Sequence, residues 1–171
     1  MPARLVFFHK SKNVAPGKGT GETDLGTDVP ESKALQDSGH WRSVLSNFYE
    51  TAEPIEFRGQ HYRTAEHIFQ AMKIALADPE AAQTFAVESG SALSKGDGLA
   101  ARKARKLRVL SSALLAQWDA IRPGVVREMW LAKFSQDPKS ALVLTLTGKA
   151  ELWHAAPRMK AERWTDLEAM R

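Results

Sequence analysis

The sequence predicts a mainly α (α+β) fold in which helices pack with a small antiparallel β-sheet or hairpin. Three observations predict it. The 171 residues and 43% apolar content suit one compact domain with one core. Helical patterns fill most of the chain after Thr64, and alternating, strand-like patterns are few and short. We therefore expect a single domain over residues 1–171, with a long Gly- and Lys-containing loop over residues 11–40.

The first third of the chain predicts the sheet and the loop. The apolar run Arg4–Phe8 indicates a first strand, and Pro54–Arg63 alternates around Arg58-Gly59 as a hairpin does. Between them, Ser11 to Pro30 is rich in Gly, Pro, Thr and Asp, which predicts a loop. Its Ala15–Gly21 stretch has the backbone freedom and positive charge to wrap a phosphate, and a plain surface loop is the alternative.

Caps and turns divide the remainder into helices. Thr64 caps the first one, and Asp78-Pro79 opens a second that Gly90 closes. Further helices are predicted over residues 99–110, 112–121, 125–134 and 138–146 and from a Thr165 cap to 171, with a turn at 122–124 and a short extended piece at 151–154. No internal repeat interrupts this pattern.

Composition narrows the classes of protein and chemistry. No apolar run approaches the ~20 residues that cross a bilayer, and the N-terminus lacks the features of a signal peptide, so we expect a cytoplasmic protein without membrane contact. The absence of cysteine excludes disulfides, thiolate metal sites and a cysteine nucleophile. The five histidines lack the paired spacing of metal ligands, so we expect no metal site. We also expect no cofactor.

Glu66, Gln70 and Lys73 form a polar stripe along the predicted Thr64 helix, opposite its apolar side. Glu66 lies in the first turn, where the helix dipole favours an ionised carboxylate, so we expect it to be charged at neutral pH. Such a group can activate water and stabilise an oxocarbenium-like sugar carbon, as hydrolysis of a ribosyl–nitrogen bond requires. An ordinary first-turn acid beside a surface lysine is the alternative.

Three other groups of residues have both a binding and a structural interpretation. Ser46 and Asn47 either grip a ribose or base edge or only form a turn. Trp118 and Trp130 either stack on a heterocycle or fill the core. The basic cluster between Arg102 and Arg108 either attracts phosphates or is a solvated helix face.

Several of these segments together resemble the NADAR (YbiA-like) family. The S-N-F motif at 46–48, the hairpin glycine and the T-A-E-H-I-F-Q-A-M-K helix at 64–73 match the family's opening signature in order and spacing. Leu131–Pro138 is similar to its A-x-x-K-F-x-Q-x-P segment, and Leu142–Gly148 to its L-L-x-T-G stretch. The resemblance spans residues 41–152, and Ser11–Gly19 resembles a longer branch of the family.

The resemblance implies a YbiA-like fold and N-glycosidase activity on ribosylated heterocycles. Glu66 then resembles the catalytic carboxylate, and Lys73 a substrate-binding lysine. The other substrate-binding positions that it suggests are Ser46, Asn47, Phe48, Gln70, Trp118 at the base site, and Lys133. Lys10, Lys12 and Lys18 are candidate phosphate ligands beside Lys73.

The C-terminus departs from the family's common ending, an acidic residue shortly before W-G and a glycine-rich tail. Here Trp153 is followed by His154, and Trp164 has no following glycine. An aspartate role is therefore not carried over. His154 as a proton donor and Arg158 as a phosphate ligand are the candidates for that part of the site, with simple packing as the alternative.

Of the two substrate classes that the resemblance implies, the basic stretch Arg102–Arg108 and the Lys-rich loop favour ADP-ribose on guanine in nucleic acid, which makes DNA or RNA a candidate partner. Phosphorylated ribosylamino-pyrimidine intermediates of riboflavin synthesis are the alternative substrate. A non-catalytic module that binds ADP-ribose or NAD is the alternative of another class, and a basic nucleic-acid-binding protein is a third. The sequence leaves the oligomeric state open.

Overall fold

A computed structural model describes residues 2–23, 25 and 31–171. The chain folds into two compact units, one formed by the residues up to Ser46 with Pro138–Arg171, the other by Asn47–Asp137. Helices predominate, and the sheets contain three and two strands, which confirms the predicted mainly helical α+β class. The prediction of a single domain over the whole chain stays a prediction.

The elements have the following bounds in chain order. The strands are β1 (Arg4–Phe7), β2 (Glu50–Phe57), β3 (Gln60–Thr64), β4 (Glu151–His154) and β5 (Glu162–Arg163). The helices are α1 (Ser32–Asp37), α2 (Trp41–Leu45), α3 (Ala65–Ile74), α4 (Pro79–Gln83), α5 (Gly98–Lys103), α6 (Ser112–Gln136), α7 (Pro138–Leu146) and α8 (Thr165–Glu168). Two 3₁₀ turns cover Val87–Ser89 and Ala104–Leu107.

The first unit contains a sheet with the strand order β1-β4-β5. Strand β4 pairs in parallel with β1 and antiparallel with β5. Leu5, Phe7 and Leu152 are fully buried, so the apolar side chains of the two parallel strands supply the core. The sequence predicted only an antiparallel sheet, because nothing local indicates that strands from the two ends of the chain will pair.

The predicted loop over residues 11–40 contains a helix near its end. Helix α1 covers Ser32–Asp37, where Leu35 is fully buried and Lys33 pairs with Asp37 one turn later. Residues 24 and 26–30 of the predicted loop lie outside the described residues. The loop prediction missed α1 because one buried leucine in six residues has no recognisable period.

The second unit begins with the predicted hairpin. Strands β2 and β3 pair antiparallel, and Arg58 and Gly59 both have positive φ, 51° and 81°. Two consecutive left-handed residues are the backbone of a type I′ turn, which matches the twist of the paired strands. Thr64 ends β3 and also caps α3, since its side chain accepts a hydrogen bond from the His67 N–H. The hairpin therefore determines where α3 begins.

Helix α6 runs for 25 residues without a break at Pro123, so the predicted turn at 122–124 is wrong. Trp118 and Val125, on either side of the proline, are both buried in one apolar cluster with Leu110. Packing of both halves against the same cluster outweighs the loss of one backbone hydrogen bond at Pro123.

Other predicted helices are present, and several of them are shorter than predicted. Asp78 caps α4 as expected and α7 begins at Pro138. The predicted 99–110 helix ends at Lys103 and continues as a 3₁₀ turn. Thr165 is the first residue of α8 rather than its cap, and α8 ends at Glu168. Among the described residues, no helix has the length and apolar character to cross a membrane.

Candidate active site

Helix α3 places two of the predicted polar residues in buried positions. Glu66 is 7% exposed and Gln70 4% exposed. The Gln70 amide Nε2 donates a hydrogen bond to Glu66 Oε1 at 2.8 Å, and the Glu66 N–H donates to the Asn47 carbonyl oxygen at 2.9 Å. Lys73, on the same helix, is half-buried. The i, i+4 spacing therefore produced a direct contact between Glu66 and Gln70, as the stripe predicted.

His67 holds the start of α3 in place. It is fully buried; its Nδ1 lies 2.8 Å from Thr64 Oγ1, and its Nε2 lies 3.2 Å from the Leu93 carbonyl oxygen. A carbonyl only accepts, so Nε2 carries the proton and Nδ1 accepts from the threonine hydroxyl. Burial lowers the pKa of His67, which is consistent with a neutral ring. The histidine is therefore a positioning residue for the carboxylate beside it.

Burial dominates the chemistry of Glu66. It raises the pKa of Glu66 to about 7, although the Gln70 hydrogen bond and the charges of Arg102 and Arg105 act in the opposite direction. Burial thus keeps part of the Glu66 population protonated near neutral pH, whereas the helix dipole alone predicted a fully ionised group. The helix dipole contributes less than the loss of water around the carboxylate. A pKa close to the working pH suits a group that takes and returns a proton.

The segment after Asp97 contributes the positive charge at this carboxylate. Asp97 caps α5 by accepting from the Ala100 N–H at 2.8 Å, and α5 packs against α3. A Cβ added at Gly98 would lie 2.7 Å from the Phe48 Cα, so only glycine permits this close approach. The Arg102 guanidinium lies 6.0 Å from the centre of the Phe48 ring. The basic cluster and the S-N-F motif are far apart in the sequence, and the fold brings Arg102 and Phe48 together.

Asn47 connects the S-N-F motif to two helices. Besides its backbone contact with Glu66, its Oδ1 accepts a hydrogen bond from Trp130 Nε1 at 2.9 Å. Trp130 is 5% exposed, so its indole is a buried anchor rather than a free stacking face. Ser46 is also buried and is the C-cap residue of α2, at which the first unit ends. These contacts assign Asn47 a positioning role for α3.

Lys133 is a second buried titratable group in this unit. It is fully buried on α6, with its Nζ 5.5 Å from the centre of the Tyr49 ring and 4.9 Å from that of Phe134. Burial lowers the pKa of Lys133 to about 7, and the charge of Asp137 acts against that shift. Its amine is therefore partly neutral near pH 7, a property that its position in the sequence does not indicate.

Trp118 lies in the core. It is 2% exposed, contacts the Phe69 ring edge-on at 5.2 Å between centroids, and shares a cluster with Leu110 and Val125. This is the packing alternative that the sequence analysis left open. Stacking of Trp118 on a base stays a prediction.

The remaining predicted residues belong to the first unit. His154 stacks on Trp164, with 4.6 Å between ring centroids, and contacts Phe7 edge-on. Arg158 is exposed with a positive φ of 66°. Lys10, Lys12 and Lys18 are exposed. Their roles as proton donor and phosphate ligands stay predictions.

The glycine-containing loop of the first unit already binds an anion of its own. The Glu22 carboxylate accepts hydrogen bonds from the N–H groups of Gly17, Gly19 and Val6, at 2.9, 2.8 and 3.0 Å. Arg42 adds a buried ion pair at 2.8 Å. The loop therefore has the anion-wrapping conformation that its composition suggested, and an internal carboxylate occupies it.

Among the described residues, no group of three or more His, Asp or Glu side chains is arranged to hold a metal ion. The residues near Glu66 instead provide a carboxylate, an amide and two guanidinium groups. This combination suits a substrate that is anionic and develops positive charge as it reacts.

Comparison with known proteins gives a match to a protein family and a similar solved structure. The model of the NADAR domain family matches residues 35–161. The NMR structure of the E. coli protein YbiA is similar with a TM-score of 0.50 and 28% sequence identity, over 68% of this chain and 62% of that chain. This chain thus covers less than two thirds of YbiA. No curated protein has significant sequence similarity to it.

Proposed function

Because the chain belongs to the NADAR family, which is associated with N-glycosidase activity, we propose that it hydrolyses the bond between a ribose carbon and the nitrogen of a nucleobase. The observation that carries the proposal is the environment of Glu66: a buried carboxylate whose pKa is about 7, with two guanidinium charges acting on it. We infer that Glu66 is the catalytic residue.

The chemistry follows from that environment. Cleavage breaks the bond between the anomeric carbon and nitrogen, and the electron pair leaves with the nitrogen, which gains a proton. Positive charge develops on the sugar, and the ionised form of Glu66 stabilises it in a site of low polarity. The same carboxylate accepts a proton from the attacking water, whose oxygen forms the new bond to carbon, and then releases it to solvent, which balances the proton that the leaving nitrogen takes up. Hydrolysis thus uses both protonation states of a group balanced between them.

The neighbouring residues have distinct roles in this proposal. Gln70 orients Glu66 through its 2.8 Å hydrogen bond, and Asn47 holds the first turn of α3. Phosphate groups of the substrate bind the cations that surround the carboxylate, Arg102 and Arg105, with Lys73 farther along α3. In the first unit, the N–H groups of Gly17 and Gly19 are already used by the Glu22 carboxylate.

Between the two substrate classes, the charges favour ADP-ribose attached to guanine. The diphosphate of ADP-ribose spreads its negative charge over two phosphates, so that each of the two guanidinium groups can bind one of them. The phosphorylated intermediates of riboflavin synthesis are the second candidate, since one phosphate beside Arg102 meets the same chemical requirement. Both substrates place a ribosyl–nitrogen bond at the carboxylate.

The test replaces Glu66 by glutamine and supplies each substrate separately. We expect base release from ADP-ribosylated guanine to fall by about 10²–10⁴-fold, as loss of a general base does. Glu80→Gln is the matched control, because Glu80 is also in the first turn of a helix but is exposed. Undiminished release by Glu66→Gln overturns the proposal. Binding of ADP-ribose without release of base by the unaltered protein favours the non-catalytic module instead.

The pH dependence gives a second test. If ionised Glu66 is the reactive form, kcat rises as pH increases towards about 7 and levels off above it. The Glu66→Gln variant loses this rise. A rate that falls through pH 7 in the unaltered protein would instead show that the protonated form, a general acid, is the one required.

A further inference from the structure

Four cations of the basic cluster, at the end of α5 and in the 3₁₀ turn after it, keep their charge unneutralised. Among the described residues, none of Arg102, Lys103, Arg105 and Lys106 forms an ion pair. Other cations of the same unit do: Arg58 pairs with Glu128, Arg63 with Glu50, and Arg108 with Asp78. Cations placed so close together repel one another, and a bound polyanion relieves that repulsion.

The cluster leads from the carboxylate to the surface. Arg102 is half-buried against Phe48 and its charge reaches Glu66, whereas Lys103, Arg105 and Lys106 are exposed. Two exposed apolar residues follow, Leu107 at 54% and Val109 at 93%. We name these four cations, together with Leu107 and Val109, the basic ridge. It offers several cations and an apolar end within one short segment.

We infer that the basic ridge binds the sugar–phosphate backbone of a single-stranded nucleic acid while the modified base of that strand reaches Glu66. The inference rests on the proposed function and adds to it the surface that holds the rest of the substrate strand. Successive phosphates lie beside the exposed cations, and Leu107 and Val109 contact the flat faces of the bases.

Two features favour a single strand over other polyanions. Glu66 is only 7% exposed, so a base must leave a duplex stack before it can reach the carboxylate. The ridge consists of the end of a six-residue helix and a four-residue 3₁₀ turn, which is too short for the amphipathic helix that lies on a membrane surface. Anionic vesicles are therefore the comparison ligand in the test.

The test measures the affinity of the full chain for a labelled, unmodified single-stranded oligonucleotide across a range of salt concentrations. The variant is Lys103→Gln/Lys106→Gln. Its control is Lys139→Gln/Lys149→Gln, which removes the same charge from exposed positions elsewhere. Each phosphate contact contributes about 0.7 to the slope of log affinity against log salt for a single strand. We expect the ridge variant to flatten that slope by about 1.4 and to weaken binding about tenfold at low salt, and the control to change neither.

Equal effects of the two double variants, stronger binding to anionic vesicles than to the strand, or no binding of the strand each overturn the inference. This measurement does not need catalysis, so Glu66→Gln should bind as the unaltered protein does. If the protein hydrolyses both a modified oligonucleotide and free ADP-ribosyl-guanosine, the ridge variant should hydrolyse the oligonucleotide more slowly and the free nucleoside at an unchanged rate. Strand binding without hydrolysis of either overturns only the proposed glycosidase function.

Discussion

Two buried glutamates occupy very different surroundings in the two units of this protein. The Glu22 side chain is fully buried, and the described residues donate five hydrogen bonds to it, three from backbone N–H groups and two from Arg42. Glu66 is also buried, but among the described residues only the Gln70 amide donates to its carboxylate. One carboxylate is fully compensated for its loss of water, and the other is not.

The difference separates a structural carboxylate from a reactive one. Arg42 also donates to the carbonyl oxygens of Val6, Val14 and Ala15, so the Glu22 ion pair ties β1 to the glycine-containing loop. At Glu66 the missing donors raise the pKa to about 7 and leave acceptor capacity for a substrate or water. Under-compensation of a buried charge lowers stability and is a common property of reactive sites.

The largest expected effect comes from breaking the compensated pair. Arg42→Met leaves the Glu22 carboxylate buried without its cation, and we expect the free energy of unfolding to fall by about 3–5 kcal/mol. Urea denaturation measures it. The control Arg58→Met removes an ion pair whose side chains are both about half-exposed, and we expect a change below about 1 kcal/mol. Similar losses in both variants would contradict the structural role of Arg42.

At Glu66 we expect a substitution to raise the free energy of unfolding at high pH rather than to lower it. The folded protein holds this proton more tightly than the unfolded chain, so the stabilisation is complete below pH 4.5 and is lost as pH rises through about 7. Glutamine does not ionise, so Glu66→Gln does not lose stability as the pH rises. We expect the change in the free energy of unfolding caused by this substitution to be about 3 kcal/mol more favourable at pH 8 than at pH 4. Urea denaturation at the two pH values decides it. If Glu66→Gln destabilises the fold equally at both pH values, the raised pKa of Glu66 is contradicted.

A smaller effect tests the close approach of α5 to the S-N-F motif. Gly98→Ala places a Cβ 2.7 Å from the Phe48 Cα, and we expect it to cost about 1–3 kcal/mol and to lower base release because Arg102 moves with α5. Gly124→Ala is the matched control, since nothing lies within 4 Å of an added Cβ there and Gly124 is inside α6. That control should gain about 1 kcal/mol. Thermal unfolding and activity are measured for both.

The smallest effect concerns the positioning of α3. Asn47→Ala removes the hydrogen bond to Trp130 Nε1 but keeps the backbone carbonyl that accepts from Glu66. We expect a loss of about 1 kcal/mol in stability. If Asn47 only positions α3, kcat falls while the apparent affinity for substrate is kept. A change confined to KM would instead assign Asn47 to substrate binding.

Local signals in the sequence were sufficient for the hairpin and for α3. Arg58-Gly59 supplied the turn, Thr64 the cap, and the spacing of Glu66 and Gln70 their mutual contact, since each depends on residues within a few positions. A local signal was misleading at Pro123, where buried neighbours on both sides keep α6 continuous. A local signal also predicted a full charge on Glu66, because the helix dipole depends on neighbouring residues, whereas the burial of Glu66 depends on the whole fold.

By itself, the sequence determined the helical α+β class, the hairpin followed by α3, and which carboxylate belongs to the motif, because propensities, caps and periodicity act between near neighbours. Only the tertiary structure decided which groups surround that carboxylate. The fold brought Arg102 and Arg105 to Glu66, aligned β1 with β4, and directed Gly17 and Gly19 at Glu22. Desolvation and charge interactions depend on distance in space, and the distance along the chain does not set them.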